Sequence, residues 1–405
     1  MRNLKNFTKI LSVVLAIILT LSLASCSFSK QYSYKTDDVE LPIGVYIFSL
    51  YTAYSQAEGY AQKSDLYDSE KKTYDGDKSF LKIEITDDDG KKATADEWIY
   101  EEADKQMKNI LATYKVFNEL GCTIDEATAE NYEKQCKEYW DNGPYASYGA
   151  QYKNPYSEIF EPLGVSYDSF YLASFYSAAM QEAIFKAMYD EGGTKAVSNK
   201  DLTKFFTDNY TSYTYFSANL FTEATEDEAS AEDTLSNTEE AAASVPLSDT
   251  EIQKYKDSFA GYVDDIKNGA KAEEVVSEYM KDFEVAEDTS VTQVENLDNA
   301  SIGEDIKTEI LNLKEGTASY KIIGDDDTSK VIYFFYKEPI DNQIENYIED
   351  DTNKTSLLQE LKGDEFKDYI DDLAETIEPT ISSVCKNYNL KKFESKEKES
   401  KNSAS

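Results

Sequence analysis

The sequence predicts an α+β protein in which a mostly helical domain is discontinuous and carries an inserted α+β domain. Two observations predict this division. Apolar residues recur at helical spacing over 41–210 and again over 341–393. Between them, residues 211–340 combine alternating aromatic stretches, which are typical of strands, with short capped helices. We therefore expect the two helical stretches to form one domain around the insert.

The charge balance and the residue types exclude several classes of function. The chain has 405 residues with 41 Lys+Arg and 79 Asp+Glu, which gives a formal net charge of −38. This surplus argues against a nucleic-acid partner, because phosphate binding needs clustered basic side chains. The chain has no histidine, which excludes His-dependent nucleophiles, His-bearing zinc sites and imidazole proton shuttles. Its 32 tyrosines and 19 phenylalanines are nevertheless too many for a wholly disordered acidic polymer.

Residues 1–25 have the pattern of an export signal, not of a folded segment. Basic residues precede an apolar run over 10–19 that is too short for a comfortable membrane-spanning helix. The run leads into Leu-Ala-Ser-Cys at 23–26, which resembles the lipobox of bacterial lipoproteins. That resemblance implies cleavage before Cys26 and acylation of its thiol, which would anchor the protein at the outer face of the cell membrane. The alternative is an ordinary secretory signal with a chance cysteine.

The first helical region opens after a polar stretch, 26–40, which we predict to be a tether. Helical spacing predicts a helix over 41–62, and alternation then predicts a strand over 80–86. A long helix follows, with Thr94 and Glu97 as its capping box.

The remaining helices of this region are separated by one long loop. Thr123 and Glu126 predict a second capping box. The loop, 143–164, is rich in Tyr, Gly and Pro. Helical spacing then predicts a long helix over 167–190 and a short one over 198–210.

The inserted region is predicted to contain about four strands and three helices. An aromatic strand over 213–221 opens it, and an acidic insertion over 222–247 is predicted to be disordered because it has almost no large apolar residue. Helices are predicted at 248–267, 273–280 and 303–313, and a final strand pair at 318–323 and 330–337. The second part of the helical domain, 341–393, is predicted to contain a helix over 356–377 and then an extended stretch over 380–388, and the charged tail, 394–405, is predicted to be disordered.

The order of these segments resembles the PrsA-type foldase lipoproteins and their relatives, SurA and trigger factor. The segments that carry the resemblance are 111–140, 197–221, 247–280, 302–319, 330–340 and 361–384. The resemblance implies a SurA/trigger-factor-like helical chaperone domain, divided around a domain of the parvulin type, which is the fold of one class of peptidyl-prolyl isomerases.

The chain departs from the parvulin pattern at the catalytic positions. Parvulin isomerases have one histidine on the first strand of the domain and another on the last. The corresponding positions here read Ser-Ala-Asn at 217–219 and Val-Ile-Tyr at 331–333. The resemblance therefore implies the parvulin-like fold without its catalytic constellation. We predict no catalytic residue, no metal site and no cofactor, and if the protein is an enzyme, we expect a peptidyl-prolyl cis-trans isomerase.

Five aromatic residues of the long loop are the candidate contact surface for client polypeptides. They are Tyr145, Tyr148, Tyr152, Tyr156 and Phe160. Tyrosine supplies a large amphipathic contact area at low entropy cost, which suits sequence-tolerant binding of unfolded chains. The alternative is that these rings pack the core of the helical domain.

Three cysteines remain after the lipobox, Cys122, Cys136 and Cys385. An odd number cannot form a complete set of intrachain disulfides. Cys136 lies at helical spacing among aromatic residues and is predicted to be a buried small hydrophobe. A bridge from Cys122 to Cys136 or to Cys385 stays open at this point.

These observations predict a lipid-anchored extracytoplasmic chaperone or foldase that binds unfolded or partly folded exported polypeptides, without isomerase chemistry. Its partners would be those polypeptides and, through Cys26, the membrane, with no nucleic acid. Two other functions stay open. One is an active isomerase of the parvulin class, and the other is a surface lipoprotein that binds a cell-wall component or a small ligand.

Overall fold

A computed structural model describes residues 32–69, 73–74, 79–223, 244–284, 291–386 and 388–393. The predicted export signal with Cys26, the middle of the acidic insertion and the charged tail lie outside the described residues. Among the described helices, none combines the length and apolar character needed to cross a membrane. The chain forms two compact units: unit 1 takes residues up to 196 and from 362 onward, and unit 2 takes 197–361.

The elements follow one another along the chain with these bounds. The first part of unit 1 contains β1 (Tyr32–Lys35), β2 (Glu40–Pro42), α1 (Ile43–Gln62), β3 (Tyr67–Asp68), β4 (Thr73–Tyr74), β5 (Glu84–Thr86), β6 (Lys92–Thr94), α2 (Ala95–Glu119), α3 (Glu126–Asn142), α4 (Tyr156–Phe160), α5 (Tyr167–Phe170) and α6 (Ser177–Tyr189). A π-helical turn, Tyr171–Tyr176, joins α5 to α6.

The elements of unit 2 are α7 (Asn199–Asn209), β7 (Thr211–Asn219), β8 (Phe221–Glu223), β9 (Ser244–Pro246), α8 (Asp249–Lys267), α9 (Ala272–Asp282), β10 (Thr292–Glu295), α10 (Glu304–Asn312), β11 (Thr317–Ile323), β12 (Val331–Glu338) and α11 (Ile344–Glu349). The long helix α12 (Asp351–Glu375) begins in unit 2 and ends in unit 1. Unit 1 then closes with β13 (Thr380–Ile381) and α13 (Ser383–Lys386).

Capping residues start the helices of unit 1, with one correction to the sequence analysis. The predicted capping box of Thr94 and Glu97 is present at the start of α2. At the start of α3, however, the cap is Asp125, not Thr123, because the Asp125 carboxylate accepts the N–H of Thr128 at 3.0 Å. Both residues are good N-caps, so the sequence pattern alone does not decide between them.

The predicted strand over 80–86 is strand only at its end. Phe80 and Leu81 form a 3₁₀ turn that starts at Ser79, and β5 begins at Glu84. Phe80 and Leu81 are consecutive and both buried, and a strand would have pointed them to opposite faces.

Antiparallel pairing joins the two ends of unit 1. β1 lies between β2 and β13, with Tyr34 opposite Ile381. The predicted tether over 26–40 is therefore ordered in its described part, where β1 lies in a sheet. The core behind this sheet is built around α1, whose Leu50 and Tyr54 are buried.

Unit 2 is built on a four-stranded antiparallel sheet in the order β10-β7-β12-β11. On one face, against α8 and α9, Phe216 stacks on Phe334 with ring centroids 4.5 Å apart. On the other face, Tyr213 and Phe335 pack with Ile310 of α10. The three helices predicted for this region are present. The strand β10 was not located from the sequence, because its Thr-Gln-Val-Glu stretch has one apolar residue.

The predicted acidic insertion, 222–247, is ordered at its ends. β8 and β9 pair antiparallel, with Thr222 opposite Val245, so that a two-stranded stem replaces the disorder expected there. Both residues are β-branched, which favours a strand. The residues between them lie outside the described part.

The three described cysteines are free thiols, so the disulfide bridges left open by the sequence are not formed. Cys136 and Cys385 are buried. The predicted role of Cys136 as a small buried hydrophobe is confirmed.

Candidate functional site

The candidate site begins with a loop whose two ends meet. We define residues 143–155, between α3 and α4, as the tyrosine loop. The N–H of Asn154 donates to the carbonyl of Asn142 at 3.0 Å, and Lys153 Nζ donates to Asn142 Oδ1 at 2.9 Å. Gly143 has φ of +84°, and a Cβ there would lie 2.3 Å from the Asn154 carbonyl oxygen. The closed neck of the loop therefore requires glycine at this position.

Three tyrosines of this loop are presented to solvent. Two 3₁₀ turns, Ala146–Tyr148 and Ala150–Tyr152, shape its course. The exposed fractions are 63% for Tyr145, 74% for Tyr148 and 52% for Tyr152. The Tyr145 and Tyr148 rings lie 6.5 Å apart between centroids. The loop thus offers neighbouring aromatic rings as an accessible surface.

The other two predicted contact residues belong to the core. Phe160 is 4% exposed, and its ring meets those of Phe48 and Tyr51 edge-on at 5.2 Å. Tyr156 is half-buried and packs against Phe160 and Phe170 with both centroid distances at 5.5 Å. The structure therefore divides the predicted set of five. Spacing alone does not separate them, because Tyr148 and Tyr152 are four residues apart just as Tyr156 and Phe160 are.

The tyrosine loop also differs from the rest of the chain in charge. Residues 142–157 contain no Asp or Glu, and Lys153 is their one charged residue, in a chain with 79 acids among 405 residues. The nearest acid along α3, Asp141, is paired with Lys137 at 2.7 Å. The loop is a neutral to weakly basic surface on a strongly acidic protein.

In unit 2, the sheet brings together the two segments where the resemblance would place catalytic histidines. Asn219 lies opposite Val331, and Ser217 lies opposite Tyr333. The Ser217 carbonyl accepts a hydrogen bond from the hydroxyl of Tyr279 at 2.8 Å. Burial raises the pKa of Tyr333 above its ordinary value. These side chains supply hydroxyl, amide and apolar groups where an imidazole pair would be needed.

A cavity of about 390 Å³ opens in unit 1 beside Tyr34, Asp104 and Cys385. Most of its polar side chains already have hydrogen-bond partners. The Tyr34 hydroxyl donates to Asp104 Oδ1 at 2.8 Å, and Lys108 Nζ lies 2.8 Å from Asp104 Oδ2. Burial raises the pKa of the Cys385 thiol to about 11, so it stays protonated at neutral pH. Few polar groups are left to orient a ligand.

The described part of the chain offers little for a metal. None of its Cys, Asp and Glu side chains cluster in groups of three or more with metal-binding geometry. The acidic turn at 87–91 is bonded internally. Asp87 accepts the N–H of Lys91 at 2.8 Å and the indole N–H of Trp98 at 2.9 Å. The Trp98 bond is the main cause that lowers the pKa of Asp87.

Comparison with known proteins gives one structural likeness. No family model matches the chain. No curated protein matches it either. A similar solved structure is the crystal structure of foldase protein PrsA from Streptococcus pneumoniae str. Canada MDR_19A, at 14% sequence identity and a TM-score of 0.33. The alignment covers 75% of this chain and 98% of that chain.

Proposed function

We propose that this protein is a lipid-anchored extracytoplasmic chaperone that binds unfolded exported polypeptides reversibly through the tyrosine loop. The observation that carries the proposal is the exposure of Tyr145, Tyr148 and Tyr152 on a loop with a closed neck. A closed neck holds the rings at the surface, so that little further ordering is needed when a client binds.

The binding energy comes from ring surface removed from water. Three tyrosines that each lose about 100 Å² of apolar surface would gain on the order of 7 kcal/mol at about 25 cal/mol per Å². Association itself costs about 4–15 kcal/mol in lost translational and rotational freedom. A surplus of about 3 kcal/mol is left at the low end of this cost, which gives weak and fast binding and requires that the loop be already ordered. A chaperone that must release its clients needs this kind of balance.

Charge supports the same function. The net charge of −38 keeps a loaded chaperone soluble and favours basic clients at low ionic strength. The tyrosine loop itself has no acid, so a client that contacts it meets no local repulsion from carboxylates. We expect the contacts of the aromatic rings with the client to persist at high salt and the long-range electrostatic attraction of basic clients to weaken.

Unit 2 is, in this proposal, a parvulin-like domain without isomerase chemistry. Its sheet and its helices α8, α9 and α10 occupy the segments that the resemblance assigns to such a domain. Rotation about a prolyl bond faces a barrier of about 18–20 kcal/mol, and an isomerase must bind the twisted amide better than either planar form. Ser217 and Tyr333 supply no imidazole for that task. A prolyl exchange assay with clear acceleration would contradict this part of the proposal.

An aggregation assay tests the tyrosine loop directly. Light scattering of reduced, denaturing lysozyme is followed with the purified protein at stoichiometric excess. The test variant changes all three loop tyrosines, Tyr145→Ser, Tyr148→Ser and Tyr152→Ser. A matched control changes three other exposed apolar residues, Leu66→Ser, Leu120→Ser and Leu311→Ser. We expect the wild type and the control to suppress scattering and the loop variant to lose most of the protection.

Two outcomes would contradict the proposal. The wild type could leave lysozyme wholly unprotected, or the loop variant could protect as well as the wild type. Hydrogen exchange gives an independent measurement, since a bound client should slow exchange over 143–155.

The lipid anchor has its own test. Cys26→Ala removes the acylated thiol, and we expect the protein to leave the membrane fraction as a result. Cys122→Ala is the matched control, because this thiol lies in unit 1 and is free. Unchanged retention of the Cys26→Ala protein would contradict the anchor.

A further inference from the structure

One hydrogen bond determines which residues of β12 bond to β7 and which bond to β11 in the sheet of unit 2. The N–H of Leu220 donates to the carbonyl of Lys330 at 2.9 Å, and these residues are in register with the β7–β12 pair. In an antiparallel ladder, residues two apart bond to the same side. Lys330 and the even-numbered residues of β12 therefore bond toward β7, and the odd-numbered residues, such as Tyr333 and Phe335, bond toward β11.

The register of β11 then fixes which of its backbone groups face outward. Phe335 lies opposite Ser319, and Tyr333 lies opposite Lys321. The odd-numbered residues of β11 bond toward β12. The peptide groups of Ala318, Tyr320 and Ile322 consequently point away from the sheet.

The opposite edge of the sheet, β10, is short and partly closed. The N–H of Tyr215 donates to the carbonyl of Val291 at 3.0 Å, so the same alternation leaves Thr292 and Val294 facing outward. The hydroxyl of Tyr347 donates to the carbonyl of Val294 at 2.7 Å. One of the two outward-facing carbonyls of this four-residue strand is thus already bonded.

The edge of β11 has none of these protections. It runs for seven residues in continuous register, contains no proline and pairs on its outer side with no strand of the described residues. Its one charged residue, Lys321, bonds to Glu309. Proteins usually blunt an edge strand with charge, proline, a bulge or short length, because its unpaired peptide groups are a template for another strand.

We propose that the outer edge of β11 binds an extended polypeptide segment as an additional strand of the sheet. The inference rests on the proposed function, since the segment would come from the client chain. The peptide groups of Ala318, Tyr320 and Ile322 form the main-chain hydrogen bonds, which are independent of client sequence. The Tyr320 ring, 39% exposed, covers one side chain of the added strand.

Charge identifies the occupant as a neutral or basic segment of another polypeptide. Two copies of this chain, each with a net charge of −38, repel one another at low ionic strength. The turn that follows β11 also carries three consecutive acids, Asp325, Asp326 and Asp327. A basic extended segment meets these acids favourably, whereas a second acidic copy does not.

The test uses a defined probe and a pair of variants at one position. The probe is a fluorescent octapeptide of alternating valine and threonine with a lysine at each end, and its binding is followed by fluorescence anisotropy. Tyr320→Pro removes an outward N–H without removing a ladder bond, whereas Tyr320→Thr removes the ring and keeps the N–H. We expect Tyr320→Pro to bind at least about tenfold more weakly than the wild type and Tyr320→Thr to stay within about threefold.

A second probe makes the test independent of the fold of the variants. Methylation of all backbone nitrogens of the octapeptide removes the donors on both of its edges and blocks strand pairing, and we expect the wild-type protein not to bind it. Hydrogen exchange should slow at Ala318, Tyr320 and Ile322 when the unmethylated probe binds.

Three results would overturn the inference. The methylated probe could bind as well as the unmethylated one, or Tyr320→Pro could bind like the wild type. The protein could also self-associate in a way that Tyr320→Pro abolishes, which would make a second copy the occupant. Failure of the proposed function can be told apart from failure of this inference. The variant with three serines in the tyrosine loop tests the proposed function, and it should still bind the octapeptide at β11.

Discussion

Units 1 and 2 present different chemistry to the solvent. In unit 1, the exposed feature is a set of side chains, the rings of Tyr145, Tyr148 and Tyr152. In unit 2, Tyr213 and Tyr262 are buried, and the exposed feature is the main-chain edge of β11. An unfolded polypeptide exposes both apolar side chains and unpaired peptide groups. Unit 1 thus offers aromatic side chains, and unit 2 offers a main-chain edge.

The cores of the two units differ in a related way. In unit 1, Phe160 meets Tyr51 at an interplanar angle of 84°. In unit 2, Phe216 meets Phe334 at 9°. The sheet register places Phe216 directly opposite Phe334, so these cross-strand neighbours stack, whereas Phe160 and Tyr51, which belong to different helices, meet edge to face.

We expect the largest loss of stability from a substitution in the core of unit 2. Phe216 is buried between Phe334 and Tyr279, and Phe216→Ala should cost about 3–5 kcal/mol of stability through the cavity that it leaves. Because the two units have separate apolar clusters, we expect hydrogen exchange to accelerate in β7 and β12 while α2 stays protected. Equal loss of protection in α2 would contradict the separation of the cores.

Alkaline pH should weaken the core of unit 1. Burial raises the pKa of Tyr171, Tyr189 and Tyr388 from 10.0 to about 12. The unfolded chain therefore loses these protons first, so their contribution to stability is intact below pH 10 and falls as pH rises from 10 to 12. Urea unfolding followed across this range measures the effect. A free energy of unfolding that stays constant up to pH 12 would be inconsistent with these shifts.

Two glycine substitutions in unit 1 test the closed neck of the tyrosine loop. Gly143→Ala forces a Cβ against Asn154 at positive φ and should cost more than about 1 kcal/mol. Gly59→Ala, in the last turn of α1 with no neighbouring group within 4 Å of the new Cβ, should instead stabilise by about 0.4–1 kcal/mol. Urea unfolding gives both values. We also expect Gly143→Ala, and not Gly59→Ala, to suppress the aggregation of lysozyme less well than the wild type does. Equal suppression by the two variants would show that the closed neck is not needed for client binding.

The smallest expected effect concerns an exposed acid of unit 1. Hydrogen bonds from Lys362 and Lys195 lower the pKa of Glu365 from 4.5 to about 2. A lowered pKa stabilises the fold above pH 4.5, and this contribution is lost as pH falls toward 2. Glu365→Gln should flatten the acid side of the stability profile slightly, because exposed ion pairs contribute little. A variant profile parallel to that of the wild type would show that the three groups do not interact.

Local signals predicted much of the fold. The predicted capping box of Thr94 and Glu97 is present, since it depends on residues three positions apart. The strand β10 escaped prediction because its pairing with β7 compensates for a weak pattern of its own.

The candidate site was predicted only in part. The sequence singles out the tyrosine-rich loop, but it does not separate the exposed Tyr148 from the buried Phe160, since both stand in the same aromatic segment. The open edge of β11 was not foreseen at all. Which peptide groups face outward depends on the register of strands more than a hundred residues apart, such as Ala218 with Ile332, and no local pattern encodes that register.

The hydrogen bond from Tyr347 of α11 to the Val294 carbonyl of β10 has a consequence for assembly. Endless ribbons and fibrils grow when the first edge of one sheet joins the last edge of the next. Here the Val294 carbonyl already accepts the Tyr347 hydroxyl, so the β10 edge is less suited to such a joint than the β11 edge is. An extended segment that binds at the β11 edge would then not be continued by a further molecule at the β10 edge. The protein could hold aggregation-prone polypeptides without starting a fibril.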